Sequence, residues 1–361
     1  MRQSWPKASA MKDFIDEIAP EMLAPIFKLY TTKLQRNNIL KEYKFFNDKY
    51  LVTLDATEYF QSKKINCSCC LQSPHNDGSI TYSHKAVQPS IISPNKKQII
   101  PMMPEEISNQ DGKTKQDCEI NAAKRLIPKI RKAHPRLPMI WVADSLYATT
   151  PFINLIRSNS NDNFILRVKK GDHKYLYNCI ETLEPEKHEE SLKNGKETLY
   201  YGWYNNIHLH ANSAIKVNVL KVYATKIDRY GNKKSTIVGV WATDLEITQT
   251  TVSDIAKAAR SRWKIENECF NMLKNHGYAI EHSYGHGEKN LSFNFYVLTL
   301  LAFTLHQIQG LTDPLFRQAR EIYRTARELW QGLQFLFNMI VFECWTKMIQ
   351  YAIKIKHPDF E

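Results

Sequence analysis

The sequence predicts an α/β protein: a mixed sheet flanked by helices, a β-rich insertion ahead of one long helix, and a helical C-terminal region. Three observations predict it. Strand-like runs at 50–60, 80–87 and 97–104 come first, and helix and strand patterns then alternate as far as residue 170. From 172 to about 250 the chain is dense in β-branched and aromatic residues. From Phe293 to about Ile355 it is apolar with helical periodicity.

Each element has its own signal. Over 11–45, Phe14, Ile18, Met22, Ile26 and Tyr30 recur every four residues, the spacing of one helix face. YLVTLDATEYF (50–60) is a short run of β-formers whose strand ends at Asp55. ITYSHKAV (80–87) and KQIIPMMP (97–104) read as the next two strands. KQDCEINAAKRLIPKIRKAH (115–134) is a helix with Ile120, Ala123, Leu126, Ile127 and Ile130 on one side. MIWVADSLYA (139–148) is a buried-looking strand with Asp144 where it ends; PFINLIRS is a short helix and NFILRVKK (163–170) another strand.

In the insertion, YYGWYNNIHLH, IKVNVLKVYATKI and STIVGVWATDL are the strand runs, with DRYGNKK as a separator. DIAKAARSRWKIENECFNMLKNHGY (254–278) is then a long helix, with Ser253 or Asp254 as N-cap and Gly277 as its stop. The boundaries drawn are a helical segment at 1–46, expected to be incomplete, a core in two parts at 47–171 and 253–292, the insertion at 172–252 and the C-terminal region at 293–361.

The 361 residues, 43% hydrophobic and 24% charged, suffice for a sizeable core. No window offers about 18 consecutive apolar residues, so a membrane span is not expected. The start, MRQSWPKASAMKDF, lacks the apolar centre of a secretory signal, and the cytoplasm is the expected compartment. Lys and Arg total 49 against 37 Asp and Glu, a formal charge of +12. Such a surface attracts polyanions, because each neutralised phosphate releases a condensed counterion. A basic protein with no polyanion partner fits the same number.

Two aspartates at strand ends, Asp55 and Asp144, are the first chemical clue, since adjacent strand ends bring distant residues to one sheet edge. A lone Asp there more often caps a loop. Arg262 and Glu266 stand at i and i+4 on one helix face; the plain alternative is a surface ion pair, with Trp263 and Ile265 as core contacts.

LDATEYF, VADSLYA and RSRWKIENECFNMLKNHGY, in this order, resemble the DDE transposases of bacterial insertion sequences, specifically the insertion sequence 4-like branch with its RNase H-like catalytic core. The resemblance runs from about residue 11 to about 345. FQSKKINCSCC, IIPMMPEEISNQDGKTKQDCEINAAKR, FILRVKKGDHKYL and HSYGHGEKNL are similar to one subgroup. It implies that Asp55, Asp144 and Glu266 are the catalytic carboxylates, holding two Mg²⁺ (or Mn²⁺) ions, with Asp55 bridging both. It implies double-stranded DNA as partner, at element ends and target, a homodimer in the DNA complex, and Arg262 facing a phosphate. Lys274 matches the lysine of the branch's tyrosine–arginine–glutamate–lysine signature one residue late, and Ala259 replaces the tyrosine. Ala56 follows Asp55 where relatives have glycine, and so demands ordinary backbone angles. Two other readings stay open: a nuclease without strand transfer, and an inactive or truncated remnant that binds DNA.

Secondary candidates remain. Cys67 and Cys70 form a C-x₂-C pair, half of a zinc site. Adding His84 and Cys118 would complete it, but without recognisable spacing, and free cysteines in a loop are the preferred reading. The Gly285-His286-Gly287 turn suits close backbone approach to a phosphate, or is a tight loop with a neutral His, with His282 nearby. Lys169, Lys170, His173 and Lys174 form a basic cluster after the fifth strand, for DNA backbone contact or as a solvated loop.

Overall fold

Pro20 and Pro25 interrupt the helical periodicity of the first segment, and proline inside a helix removes a ladder hydrogen bond. The computed structural model, which describes residues 7–109, 117–192, 197–228, 231–282 and 285–357, divides the helical stretch into α1 (Ala8–Glu17) and α2 (Ala24–Arg36) with a 3₁₀ turn at Pro20–Met22 between them. The strands β1 (Lys44–Phe45), β2 (Lys49–Ser62), β3 (Leu71–Pro74), β4 (Ile80–Ile92), β5 (Ile100–Pro101) and β6 (Glu105–Ile107) follow. Then come α3 (Glu119–Ala133), β7 (Met139–Ala143), α4 (Thr150–Arg157) and β8 (Asn163–Arg167). Residues 115 and 116 of the helix expected at 115–134 lie outside the described residues.

The strand expected to stop at Asp55 does not stop there. It runs on to Ser62, because β4 pairs with β2 antiparallel from Leu51↔Ile92 to Ser62↔Tyr82. Thr57, Tyr59 and Phe60 are buried beyond Asp55, while Glu58 is half-buried and Gln61 exposed. The other neighbour, β7, does end there: it pairs with β2 in parallel only from Tyr50↔Met139 to Thr53↔Val142. β8 lies parallel to β7.

Past β8 the chain forms α5 (Lys174–Thr182), β9 (Glu186–Leu192), β10 (Glu197–His208), β11 (Lys216–Ile227) and β12 (Lys233–Thr243). α5 and β9 were not foreseen. The β-rich stretch joins the main sheet: β12 pairs antiparallel with β8 from Trp241↔Arg167 to Thr243↔Ile165, and the Thr243 hydroxyl donates to the Phe164 carbonyl at 2.6 Å. One mixed sheet therefore runs β3-β4-β2-β7-β8-β12-β11-β10-β9.

Its core holds Trp141, Tyr147, Phe152 and Phe164, all fully buried. A buried ion pair fixes this layer. Arg131 on α3 donates to Asp162 at 2.7 Å, and Asp162 also accepts from the Trp141 indole N–H at 3.1 Å. Removing one partner of such a pair strands the other charge, at a cost of about 3–5 kcal/mol.

The helical remainder comprises α6 (Val252–Arg260), α7 (Asn271–Asn275), α8 (Leu291–Thr312), α9 (Pro314–Ile322), α10 (Ala326–Met339) and α11 (Trp345–Lys356). By length and composition α8 could cross a membrane, with a mean hydropathy of 1.3 over its apolar window. Here it buries Phe293, Tyr296, Val297, Leu300 and Phe303 in the core, and its Tyr296 hydroxyl donates to Gln88 of β4 at 2.9 Å. A helix enclosed on several sides becomes apolar around much of its circumference without any bilayer. The helices α9, α10 and α11 close over a second, smaller cluster around Phe316, Leu333, Ile349 and Ile353.

Candidate functional site

The parallel register of β2 and β7 brings the two aspartates together. The parallel ladder ends at Thr53↔Val142; Asp55 follows two residues later in β2 and Asp144 two residues later just past the end of β7, and both act on the charge of Arg262. Asp144 follows the last residue of β7, and its carboxylate accepts the Leu146 N–H at 2.9 Å, capping the turn Ser145–Tyr147. Asp55 accepts the Ala56 N–H at 2.9 Å. Ala56 sits in extended strand, so the glycine of the resembled pattern is not required by the backbone here.

Glu266 arrives from the helical segment that starts with α6. After Arg260 the segment tightens to a 3₁₀ turn at Ser261–Trp263, widens to a π-helix at Ile265–Phe270 and returns to α-helix in α7. Such widened turns occur often at functional sites, because they rotate side chains off the regular ladder. Ile265, Cys269 and Phe270 are buried against the core, which leaves Glu266 half-exposed. The expected N-caps do not cap: Thr251 precedes the helix, and Ser253 donates to Glu190 at 2.8 Å. Gly277 does follow the helix end, at φ +97°.

Arg262 ties the carboxylates together. It donates to Asp55 at 2.9 Å and to Glu266 at 2.7 Å. An ordinary i,i+4 surface pair would leave the guanidinium in solvent, whereas the Arg262 side chain is 16% exposed and bound to a strand 207 residues away. Its Nη1 and Nη2 each donate to a carboxylate. Asp144 is near enough to favour the Arg262 charge, as do Glu266 and Asp55, against burial, which opposes it.

Charge on Asp55 is costly. Burial raises its pKa, Arg262 lowers it, Glu119 and Glu266 raise it again, and the balance is about 7. Glu119, the first residue of α3, was not foreseen at the site; it accepts the Tyr147 hydroxyl at 2.6 Å, and burial also raises its own pKa. Its signal in the sequence, an acid in a helix's first turn, is one that most helix starts share.

Other expected site residues fall differently. Trp263, read as core, is 51% exposed, because the tightened turn directs it away from the sheet. Lys274 is paired with Glu281 at 2.7 Å. Lys169 and Lys174 are exposed after β8, while Lys170 pairs with Glu181 at 2.7 Å and His173 is buried with its Nε2 2.8 Å from the Ala148 carbonyl. A cavity of about 1070 Å³ lies between α2 and α3 and includes none of Asp55, Asp144 and Glu266. The Asp55 and Glu266 side chains are 21% and 50% exposed, so the carboxylate cluster reaches solvent.

A second constellation joins the turn after β2, the strand β4 and the loop between α7 and α8. Cys67, Cys70, His84 and His286 place one ligand atom each so that all lie within 4.8 Å of one another. His286 supplies the fourth position in place of Cys118, which is exposed just before α3. The sequence separation of 216 residues between Cys70 and His286 hid this set from any spacing rule. Burial raises the Cys67 thiol, but hydrogen bonds from His286 and His84 outweigh it and bring it to about 5. Burial pushes Cys70 up to about 12, and the neighbouring Cys67 charge adds to this.

Comparison of the chain with protein-family models and with curated proteins finds no match.

Proposed function

We propose that this protein is a metal-dependent DNA transposase with an RNase H-like core, cutting phosphodiester bonds at the ends of an insertion sequence and transferring 3′ hydroxyls into target DNA. The observation that carries the reading is the meeting of Asp55, Asp144 and Glu266 at one sheet edge, with Arg262 hydrogen-bonded to the first and last. The run β4-β2-β7-β8, antiparallel then parallel, supports an RNase H-like core, and the four strands β9–β12 between β8 and Glu266 match the resembled insertion. The +12 charge supports a DNA partner.

The donor set fits hard divalent cations. It offers carboxylate oxygens alone, partly exposed, with Asp55 raised to about 7 by burial against the lowering effect of Arg262. Asp55, Asp144 and Glu266 would hold Mg²⁺ or Mn²⁺, which when bound activates the attacking oxygen and stabilises the leaving one. Asp55 lies between Asp144 on the next strand and Glu266 across Arg262, and is the carboxylate best placed to be shared. Arg262 carries a planar fork of the geometry that binds phosphate, and would have to exchange Asp55 and Glu266 for it. Lys169 and Lys174 offer exposed charge for the DNA backbone, while Lys170 and Lys274 would have to exchange Glu181 and Glu281 for phosphate. Two copies act together, because two element ends must be paired.

Plasmid nicking in Mg²⁺ at low salt tests this, comparing wild type with Asp55→Ala, Asp144→Ala and Glu266→Ala. Metal-dependent nicking lost in all three supports the site, and a strand-transfer assay with a 3′-hydroxyl end separates transposition from hydrolysis. Wild type that binds DNA but neither nicks nor transfers would overturn the catalytic reading.

A further inference from the structure

Cys67 and Cys70 lie between β2 and β3, His84 on β4, and His286 in the loop between α7 and α8. The two sulfurs are 3.7 Å apart. The Nε2 of His84 is 3.5 Å from the Cys67 sulfur and 3.4 Å from that of Cys70, and the Nε2 of His286 is 3.5 Å from Cys70. These are four of the six edges of a tetrahedron, and the other two, from His286 to Cys67 and to His84, lie within 4.8 Å. With Zn–S near 2.3 Å and Zn–N near 2.0–2.1 Å, tetrahedral zinc sets ligand atoms about 3.8 Å apart for two sulfurs and about 3.6 Å for sulfur and nitrogen. A disulfide would need the sulfurs at about 2.0 Å. Two thiols and two imidazoles are also softer donors than the carboxylates of the catalytic face, and select zinc over magnesium.

The surroundings orient the donors. His84 Nδ1 lies 3.1 Å from Glu106 of β6, and Glu106 accepts the Tyr59 hydroxyl at 2.7 Å. A carboxylate behind a histidine fixes its tautomer and turns the other nitrogen to a metal. The His286 ring packs on Phe60 with centroids 4.5 Å apart. Its loop is anchored on the far side as well. Asp16 of α1 accepts the backbone N–H groups of Glu288, Lys289, Asn290 and Leu291. A Cβ on Gly287, at φ +69°, would come within 2.5 Å of that carboxylate, so glycine is needed for the close approach.

We propose that Cys67, Cys70, His84 and His286 form a structural zinc site that pins the loop behind the Glu266 helix to the β2–β4 hairpin. Four protein ligands close the coordination shell, so the ion has a structural role and no open position for catalysis. The ion joins parts of the chain more than 200 residues apart and sets the helix carrying Glu266 against the strand carrying Asp55.

The test is the metal content of the full chain, purified under reducing conditions without chelator and measured by mass spectrometry of the elements, with no DNA involved. One zinc per chain is expected, retained in Cys118→Ser and in Asp55→Ala, and lost in Cys70→Ser and His286→Ala. Glu106→Gln should remain folded and bind zinc roughly 10- to 100-fold more weakly. Should the cysteine variant not fold, cobalt(II) loaded into wild type should give the intense visible absorption of tetrahedral thiolate coordination. Wild type that neither carries zinc nor takes up zinc or cobalt overturns the proposal, as does equal loss of zinc in Cys118→Ser and Cys70→Ser or loss in Asp55→Ala. Nicking that fails while zinc is retained would count against the transposase reading alone.

Discussion

Asp55 and His84 lie on paired strands of one hairpin, and the clusters around them differ in donor, spacing and support. Around His84, soft donors converge within 4.8 Å, are half or fully buried, and are braced by Glu106, Tyr59 and Phe60. Around Asp55, the donors are hard oxygens, Glu266 is half-exposed, and an arginine lies between two of the three carboxylates. The contrast separates two tasks. A site that holds an ion permanently gains from closure, whereas one that must admit a substrate phosphate needs room, and its like charges are left under-compensated. Burial raises the Asp55 pKa to about 7 against the lowering effect of Arg262, with the charges of Glu119 and Glu266 adding to the rise.

The largest expected effect breaks the comparison at its centre. Asp55→Ala, Asp144→Ala or Glu266→Ala should each lower Mg²⁺-dependent nicking by on the order of 10²–10³-fold or more, the scale seen when transition-state charge stabilisation is removed. Zinc content should not change. If one substitution left nicking intact, that carboxylate would lie outside the site; if any removed zinc, the two clusters would not be separate.

pH sharpens the difference next. A proton competes with a divalent cation for Asp55, so below about pH 7 nicking at subsaturating Mg²⁺ should fall about tenfold per unit, and above it level off. The stability consequence has the opposite sense. A carboxyl whose pKa rises on folding from 3.8 to about 7 contributes stability that is fully present below its unfolded pKa and lost as pH rises through 7. Without divalent ions, thermal scans should therefore show Tm falling between pH 5 and 8, and Mg²⁺ should restore it only above about pH 7. A Tm that Mg²⁺ raises equally at pH 5.5 and pH 8 would contradict this.

A smaller effect addresses the soft cluster. Stripping zinc with a strong chelator should lower Tm by about 5 °C or more and speed hydrogen exchange in residues 276–290, while protection in β7 and β8 persists. Uniform loss of protection would mean that the hairpin clip supports the whole sheet rather than one loop.

The sequence made much of the carboxylate site legible because its residues sit in short, dense patterns. VADSLYA marks the end of β7 through a buried run that stops at a charge, and RSRWKIE places Arg262 and Glu266 one helical turn apart. It misjudged what depends on a neighbouring strand or turn. β2 continues through Glu58 and Gln61 because β4 pairs with it, and partner length is not written locally. Trp263 is exposed because the helix changes pitch, which residue spacing cannot register. The β-rich stretch looked separate by texture, yet the Thr243–Phe164 contact merges it into one sheet. His286 and Glu119 were hidden for one reason: each meets its cluster only through tertiary distance.

Glu119 offers the finest probe. It is not in hydrogen-bond contact with Asp55, but its charge raises the Asp55 pKa, and its own carboxyl is held by the Tyr147 hydroxyl at 2.6 Å. Gln at this position keeps an acceptor for Tyr147 and removes only the charge. Glu119→Gln should then shift the pH midpoint of nicking downward, by less than about one unit, with the plateau rate and zinc content unchanged. An unmoved midpoint would mean that burial and Glu266 alone set the Asp55 pKa. A lost plateau would mean that Glu119 is itself among the oxygens that meet the cation, and the cluster would then hold four working carboxylates rather than three.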